Sequence, residues 1–138
     1  LLMSYLKQKS TFNIDSAQEL IKMHYYAPSV HCSYYGCFQF MKYTLKNYTR
    51  ATYKEIEHEC LNSPSGTHGY IINNTLSILK SKIKDNREFV NIKRKIRDLK
   101  TFRIKSDYFN QQILIDDAAK SLEFSETIIR TVKTNLKQ

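Results

Sequence analysis

DNREFVNIKRKIRDLKTFRIKSDY, residues 85–108, is the stretch whose spacing sets the fold class. Phe89, Ile92, Ile96, Leu99, Arg103 and Ser106 recur at alternating steps of three and four, the pattern of one buried stripe on a helix. Asp85 and Glu88 have the separation of a capping box, so a helix is predicted over 87–108. The stripe is apolar until Arg103. A guanidinium has five donors and stays charged at any relevant pH, so on a core-facing stripe it needs acceptors or a wet cleft. Asp107, one turn on along the same face, is the nearest candidate partner, in the weaker order of acid after base. Arg103, Asp107 and Tyr108 therefore form a polar cluster at the end of a core helix.

Working outward, Ser16 with Glu19 and Thr52 with Glu55 repeat the capping-box spacing, and Pro28 suits a first helical turn, where its missing amide proton is not needed. Six helices are predicted, near 15–24, 28–48, 52–61, 67–84, 87–108 and 117–136. The last starts at Asp116 or Asp117 and carries Ala118, Leu122, Ile129, Val132 and Leu136 on one side. Three glycines and two prolines suit long helices and leave little material for hairpin turns. The expectation is an all-α, up-and-down bundle forming one domain over 1–138, with its core at about 15–137. In the second helix Val30, Tyr34, Cys37, Phe38, Met41, Leu45 and Tyr48 make one stripe, while Tyr35, Phe40 and Tyr43 make other faces apolar. That helix is expected at the centre, with Gly36 admitting one close neighbour.

Charge is unevenly placed. Of a net +9, Lys80 to Lys105 holds eleven basic residues against three acidic ones. Such a density can attract phosphate backbones, and Lys93, Arg94, Arg97 and Lys100 are the candidate nucleic-acid contacts; solvated helix faces are the plainer account of the same lysines. No apolar run approaches a membrane span, and Leu1-Leu2-Met3 is too soon interrupted by Lys7 and Lys9 to read as a signal peptide. The reading is cytoplasmic. Cys32, Cys37 and Cys60 are odd in number and form no CxxC, so free thiols are expected, with no disulfide framework, metal or cofactor signalled.

Chain tracing adds to the Arg103 cluster. The fourth and fifth helices, joined by a turn at Asp85 and Asn86, should form an antiparallel hairpin that sets His68 opposite Arg103. His68 continues the stripe Ile72, Leu76, Leu79, Ile83 backwards by one turn. Short connections would run helix two parallel to helix four and bring His31, Tyr34 and Tyr35 to the same end.

The segment Ala27-Pro28-Ser29-Val30-His31-Cys32-Ser33-Tyr34-Tyr35-Gly36-Cys37-Phe38, the Thr67-His68-Gly69 helix start, the ending Leu99-x-x-x-Arg103-x-x-x-Asp107-Tyr108 and the final Ala118-Ala119 helix together resemble HEPN domain proteins (higher eukaryotes and prokaryotes nucleotide-binding). The resemblance is to a small bacterial subset with a Ser-Tyr-Tyr helix and an Arg-x-x-x-Asp-Tyr ending, and it covers about residues 15–137. It implies a helical bundle, usually a homodimer. Many HEPN members are metal-independent ribonucleases found as toxins or defence effectors, often beside a small nucleotidyltransferase partner.

One departure bears on function. Catalytic HEPN members follow the arginine, after four to six residues, with a histidine that handles the RNA 2′-hydroxyl proton while the arginine stabilises the pentacoordinate phosphate. Here the position is Tyr108, and a phenol, titrating near pH ~10, is a poor base at neutral pH. The expectation is an RNA- or nucleotide-binding, catalytically degenerate member whose site comprises Arg103, Asp107, Tyr108, His68, Tyr34, Tyr35 and His31. Arg103, His68 and Tyr108 are the candidate catalytic residues. Two alternatives stand beside it: a metal-independent ribonuclease in which His68 or His31 supplies the base, and a non-catalytic interaction module for a nucleotidyltransferase partner.

Overall fold

A computed structural model of the chain describes residues 4–137; Leu1, Leu2 and Met3, with the signal-peptide reading that rests on them, lie outside the described residues. Those residues form six helices and no strand: α1 (Tyr5–Lys22), α2 (Tyr26–Thr49), α3 (Tyr53–Asn62), α4 (Gly66–Lys82), α5 (Asn86–Tyr108) and α6 (Ile115–Asn135). The bundle is all-α, as the spacing predicts. Among the described residues no helix is long and apolar enough to cross a membrane.

α2 is the central helix, packed by α1, α4, α5 and α6. Its buried residues Val30, Tyr34, Cys37, Phe38, Phe40, Met41 and Leu45 come from more than one face, which is what a helix covered on several sides requires. Pairings along it fix direction. His31 meets Asp107 and Tyr34 meets Arg103, so α5 runs antiparallel to α2, whereas Phe38 meets His68 and Tyr48 meets Lys82, so α4 runs parallel to it. The start of α2, the start of α4 and the end of α5 thus share one end of the bundle.

Small polar residues carry the closest crossings. Ser10 Oγ donates to the Gly36 carbonyl at 2.6 Å, Ser29 Oγ to Ala17 at 2.9 Å and Ser125 Oγ to Ser33 at 2.6 Å, pinning α1 and α6 to α2 through buried bonds. Gly36 is the close approach expected of it, since a Cβ there would meet Ile14 Cδ1 at 2.7 Å and the Ser10 carbonyl oxygen at 3.3 Å.

Several boundaries differ from the sequence reading. α1 begins at Tyr5, eleven residues before Ser16, capped by Ser4, whose side chain accepts from the Lys7 amide. Its inward positions include Ser10 and Ala17, small residues that raise no apolar periodicity. It ends at Lys22 in a Schellman turn, with His24 left-handed at φ 63° and the amides of Tyr25 and His24 bonded to the carbonyls of Leu20 and Ile21. α6 starts at Ile115, so Asp116 and Asp117 lie in its first turn, where their charge suits the helix dipole, instead of capping it. Its buried stripe is Ala118, Ser121, Ser125, Ile128 and Val132, and Leu122 and Ile129 are only partly covered. Thr52 and Asp85 cap α3 and α5 as their spacing predicts.

The α4–α5 hairpin has the expected direction but not the expected packing. Both helices rest mainly on other neighbours, α4 on α2 and α3, α5 on α2 and α6. Buried Ile72 and half-buried Leu76 consequently line a groove between the two helices.

Candidate functional site

At the shared end of the bundle α2 supplies His31, Tyr34, Tyr35 and Phe38, positions three and four apart that fall on one face. α5 supplies Arg103 and Asp107 from consecutive turns, with Tyr108 as its last residue, and α4 supplies His68 from its first turn. All seven expected ligand-binding residues are brought together.

Arg103 is the centre. Only 7% exposed, it sets its guanidinium carbon 4.9 Å from the Tyr34 ring centre, 5.6 Å from Tyr35 and 5.8 Å from Tyr108. The ring faces offset part of the cost of burying the charge. Directional partners are few. Nη1 is 3.5 Å from the Tyr108 hydroxyl and 3.7 Å from Asp107 Oδ2, and Nε, like the nearby buried Ser106 Oγ, has no hydrogen-bond partner. A buried guanidinium so thinly bonded keeps donor capacity for an anion.

Asp107 serves His31 first. Both carboxylate oxygens lie within 3.0 Å of His31 Nδ1, closer than either stands to Arg103. A carboxylate only accepts, so Nδ1 carries the hydrogen, and in the neutral ring the lone pair is on Nε2. The His31 side chain is 48% exposed and stacks at a tilt on Tyr35, 4.7 Å between centres. An imidazole oriented by a carboxylate, with its basic nitrogen free and a guanidinium one residue away, can accept a proton from a bound hydroxyl.

His68 has the opposite assignment. Its Nδ1 lies 2.7 Å from the Tyr34 hydroxyl, and burial pushes the Tyr34 phenol well above its ordinary range despite the Arg103 charge, so the hydroxyl keeps its proton and can donate it to the Nε2–H tautomer of the ring. Burial first, then the charges of Arg103 and Lys100, hold His68 below the ordinary histidine value. Neutral, with Nδ1 occupied, it offers an Nε2–H donor and no base. Phe38 stacks on it at 4.3 Å, a contact the sequence reading missed although Phe38 stands on the same stripe as Tyr34. His68 and Arg103 each lie within 6 Å of the Tyr34 ring centre, so the predicted proximity holds, mediated by that ring.

Of the four expected backbone contacts, Lys100 is near enough to influence His68, while Lys93, Arg94 and Arg97 extend along α5 beside the groove facing α4. Cys37 and Cys60 are buried and Cys32 half-buried, all three free; burial pushes the Cys37 thiol up. Among the described residues no group of three or more His, Cys, Asp or Glu side chains could hold a metal ion. Compared with known proteins, the chain matches no family model and no curated protein.

Proposed function

We propose that this chain is a HEPN-like protein that binds RNA or a nucleotide through a phosphate at the Arg103 end of the bundle. The observation that carries the reading is Arg103 itself, a buried guanidinium held among three tyrosine rings with Nε unpartnered. A phosphate there would accept from Arg103 and from the Nε2–H of His68, while the 72%-exposed Tyr108 offers a face for a base to stack on. The basic face of α5 adds long-range attraction. Fluorescence anisotropy with a labelled single-stranded RNA and with a labelled mononucleotide tests it: binding should be lost in Arg103→Lys, and a parent protein that binds neither at low salt removes the reading.

A homodimer belongs to the same proposal. Tyr108, Phe109, Leu114 and Ile115 at the α5–α6 turn and Met23 and Tyr25 at the α1–α2 turn are all more than half exposed at the site end of the bundle. Sedimentation at micromolar concentration should give a two-fold assembly.

The His31–Asp107 contact favours one second reading, metal-free ribonuclease activity with His31 rather than His68 as base. His31 Nε2 would take the 2′-hydroxyl proton as that oxygen bonds to phosphorus. The bond from phosphorus to the 5′-oxygen would break, and the leaving oxygen would take a proton from water, giving a 2′,3′-cyclic phosphate and a 5′-hydroxyl. Incubation with RNA in chelator separates the readings: cyclic-phosphate ends lost in both His31→Ala and Asp107→Asn support cleavage, and intact RNA leaves binding alone.

A further inference from the structure

The channel between α4 and α5 lies beside the Arg103 site and does not include Arg103. Successive in sequence and antiparallel, the two helices diverge enough to leave a groove of about 510 Å³. Exposed Val90 and half-buried Leu76, above the buried Ile72 and Ile96, make an apolar floor, and Lys93, Arg94, Arg97 and Lys100 form a basic rim on one side only. No acidic residue lines it. Val90 is 53% exposed, and among the described residues Lys93, Arg94 and Lys100 form no ion pair.

We propose that this groove docks an acidic amphipathic helix of a partner protein. Val90 to Lys100 spans about 15 Å of α5, enough for about three turns of a helix laid alongside. Apolar side chains at i, i+3 or i+4 and i+7 would cover the floor, and Asp or Glu on the adjoining flank would meet the rim. Two other occupants fit less well. RNA would find no aromatic ring to stack on in the groove. A second copy would bring net charge +9 against the most basic part of the chain. Its one glutamate-rich helix, α3, has Ile56 and Cys60 already buried in its own fold.

The docking does not use Arg103, although the same basic rim adds long-range attraction for RNA. It is tested by anisotropy with a labelled, helix-favouring peptide of about fourteen residues, Leu on one face and Glu on its flank, against a scrambled peptide of the same composition. The patterned peptide should bind at least about tenfold tighter than the scrambled one. Val90→Asp, at an exposed position whose folding is checked by melting, and the Lys93→Glu/Arg97→Glu double variant should each weaken it by about tenfold, with Arg103→Lys binding as the parent does. Equal binding of the scrambled peptide, or an affinity untouched by Val90→Asp, would overturn the proposal. So would loss of single-stranded RNA binding in Val90→Asp, which assigns the groove to nucleic acid, or dissociation of a homodimer in that variant, which assigns it to a second copy.

Discussion

The Tyr34 hydroxyl and Nδ1 of His68 lie 2.7 Å apart, and burial keeps the phenol protonated. Burial and the nearby cations hold the imidazole neutral, and donation from the phenol places its hydrogen on Nε2. That contact separates two histidines that look equivalent in the sequence, one bonded to a phenol and the other, His31, to a carboxylate.

Stability should therefore fall on acidification. The pKa of His68 is lowered on folding by burial and then by Arg103 and Lys100. Below the unfolded value near ~6.5 the unfolded chain binds a proton that the folded chain does not, so this contribution is complete above that pH and is lost progressively as pH falls toward the folded value. Melting temperatures measured at about pH 7.5 and 5.5 should differ more for the parent than for His68→Gln. Equal slopes would mean that His68 titrates alike in both states.

Arg103→Lys keeps the charge and loses the planar fork that lies against three rings. We expect at least a tenfold loss of RNA or nucleotide affinity with a cost of about 1 kcal/mol in stability, whereas Arg103→Ala should cost about 2 to 3 kcal/mol. The latter is less than the usual loss on breaking a buried pair because Asp107 keeps His31. Urea unfolding with parallel binding titrations reads both. A Lys variant that binds normally would make Arg103 a structural residue.

RNA affinity should fall linearly as salt rises on logarithmic axes, with a slope of about −0.7 per phosphate neutralised. Reversing Lys93, Arg94 and Arg97 should flatten it. A slope unchanged by that triple reversal would confine the electrostatics to Arg103 and Lys100.

Gly36→Val should destabilise the bundle by about 2 kcal/mol, because the Ser10 carbonyl that a Cβ would crowd is itself held by backbone and cannot swing aside. His24→Gly should do the reverse, raising the melting temperature by relieving a left-handed non-glycine residue, worth about 1 kcal/mol. Calorimetry of the two variants gives both signs.

The sequence carries the local features of this bundle and leaves out those that depend on how helices meet. The Phe89–Ser106 stripe and the caps at Thr52 and Asp85 named the helices around the site, because apolar periodicity and capping are local. The first half of α1 was missed because it packs through Ser10 and Ala17, which bury by being small and leave no apolar signature. The seven site residues were nameable, but their pairing was not: local spacing gave Asp107 to Arg103, while the antiparallel register of α2 and α5 gives it first to His31. The α4–α5 groove was invisible for a similar reason, since Ile72, Leu76 and Ile96 follow the same spacing whether they meet another helix or an open channel.

The three serine bonds that pin α1 and α6 to α2 also divide the molecule by how readily its parts open. Amides in α1, α2 and α6 should exchange with deuterium only on global unfolding, while α4, free of such pins and separated from α5 by a groove, should exchange through a lower-energy local opening. His31 sits within that pinned block on α2, Arg103 on α5 packed directly against it, and His68 rides on the looser one. Half of the site is thus a fixed jaw and half an adjustable one, and a ligand that bridges Arg103 and His68 would be read in the exchange rate of α4 before it is read anywhere else.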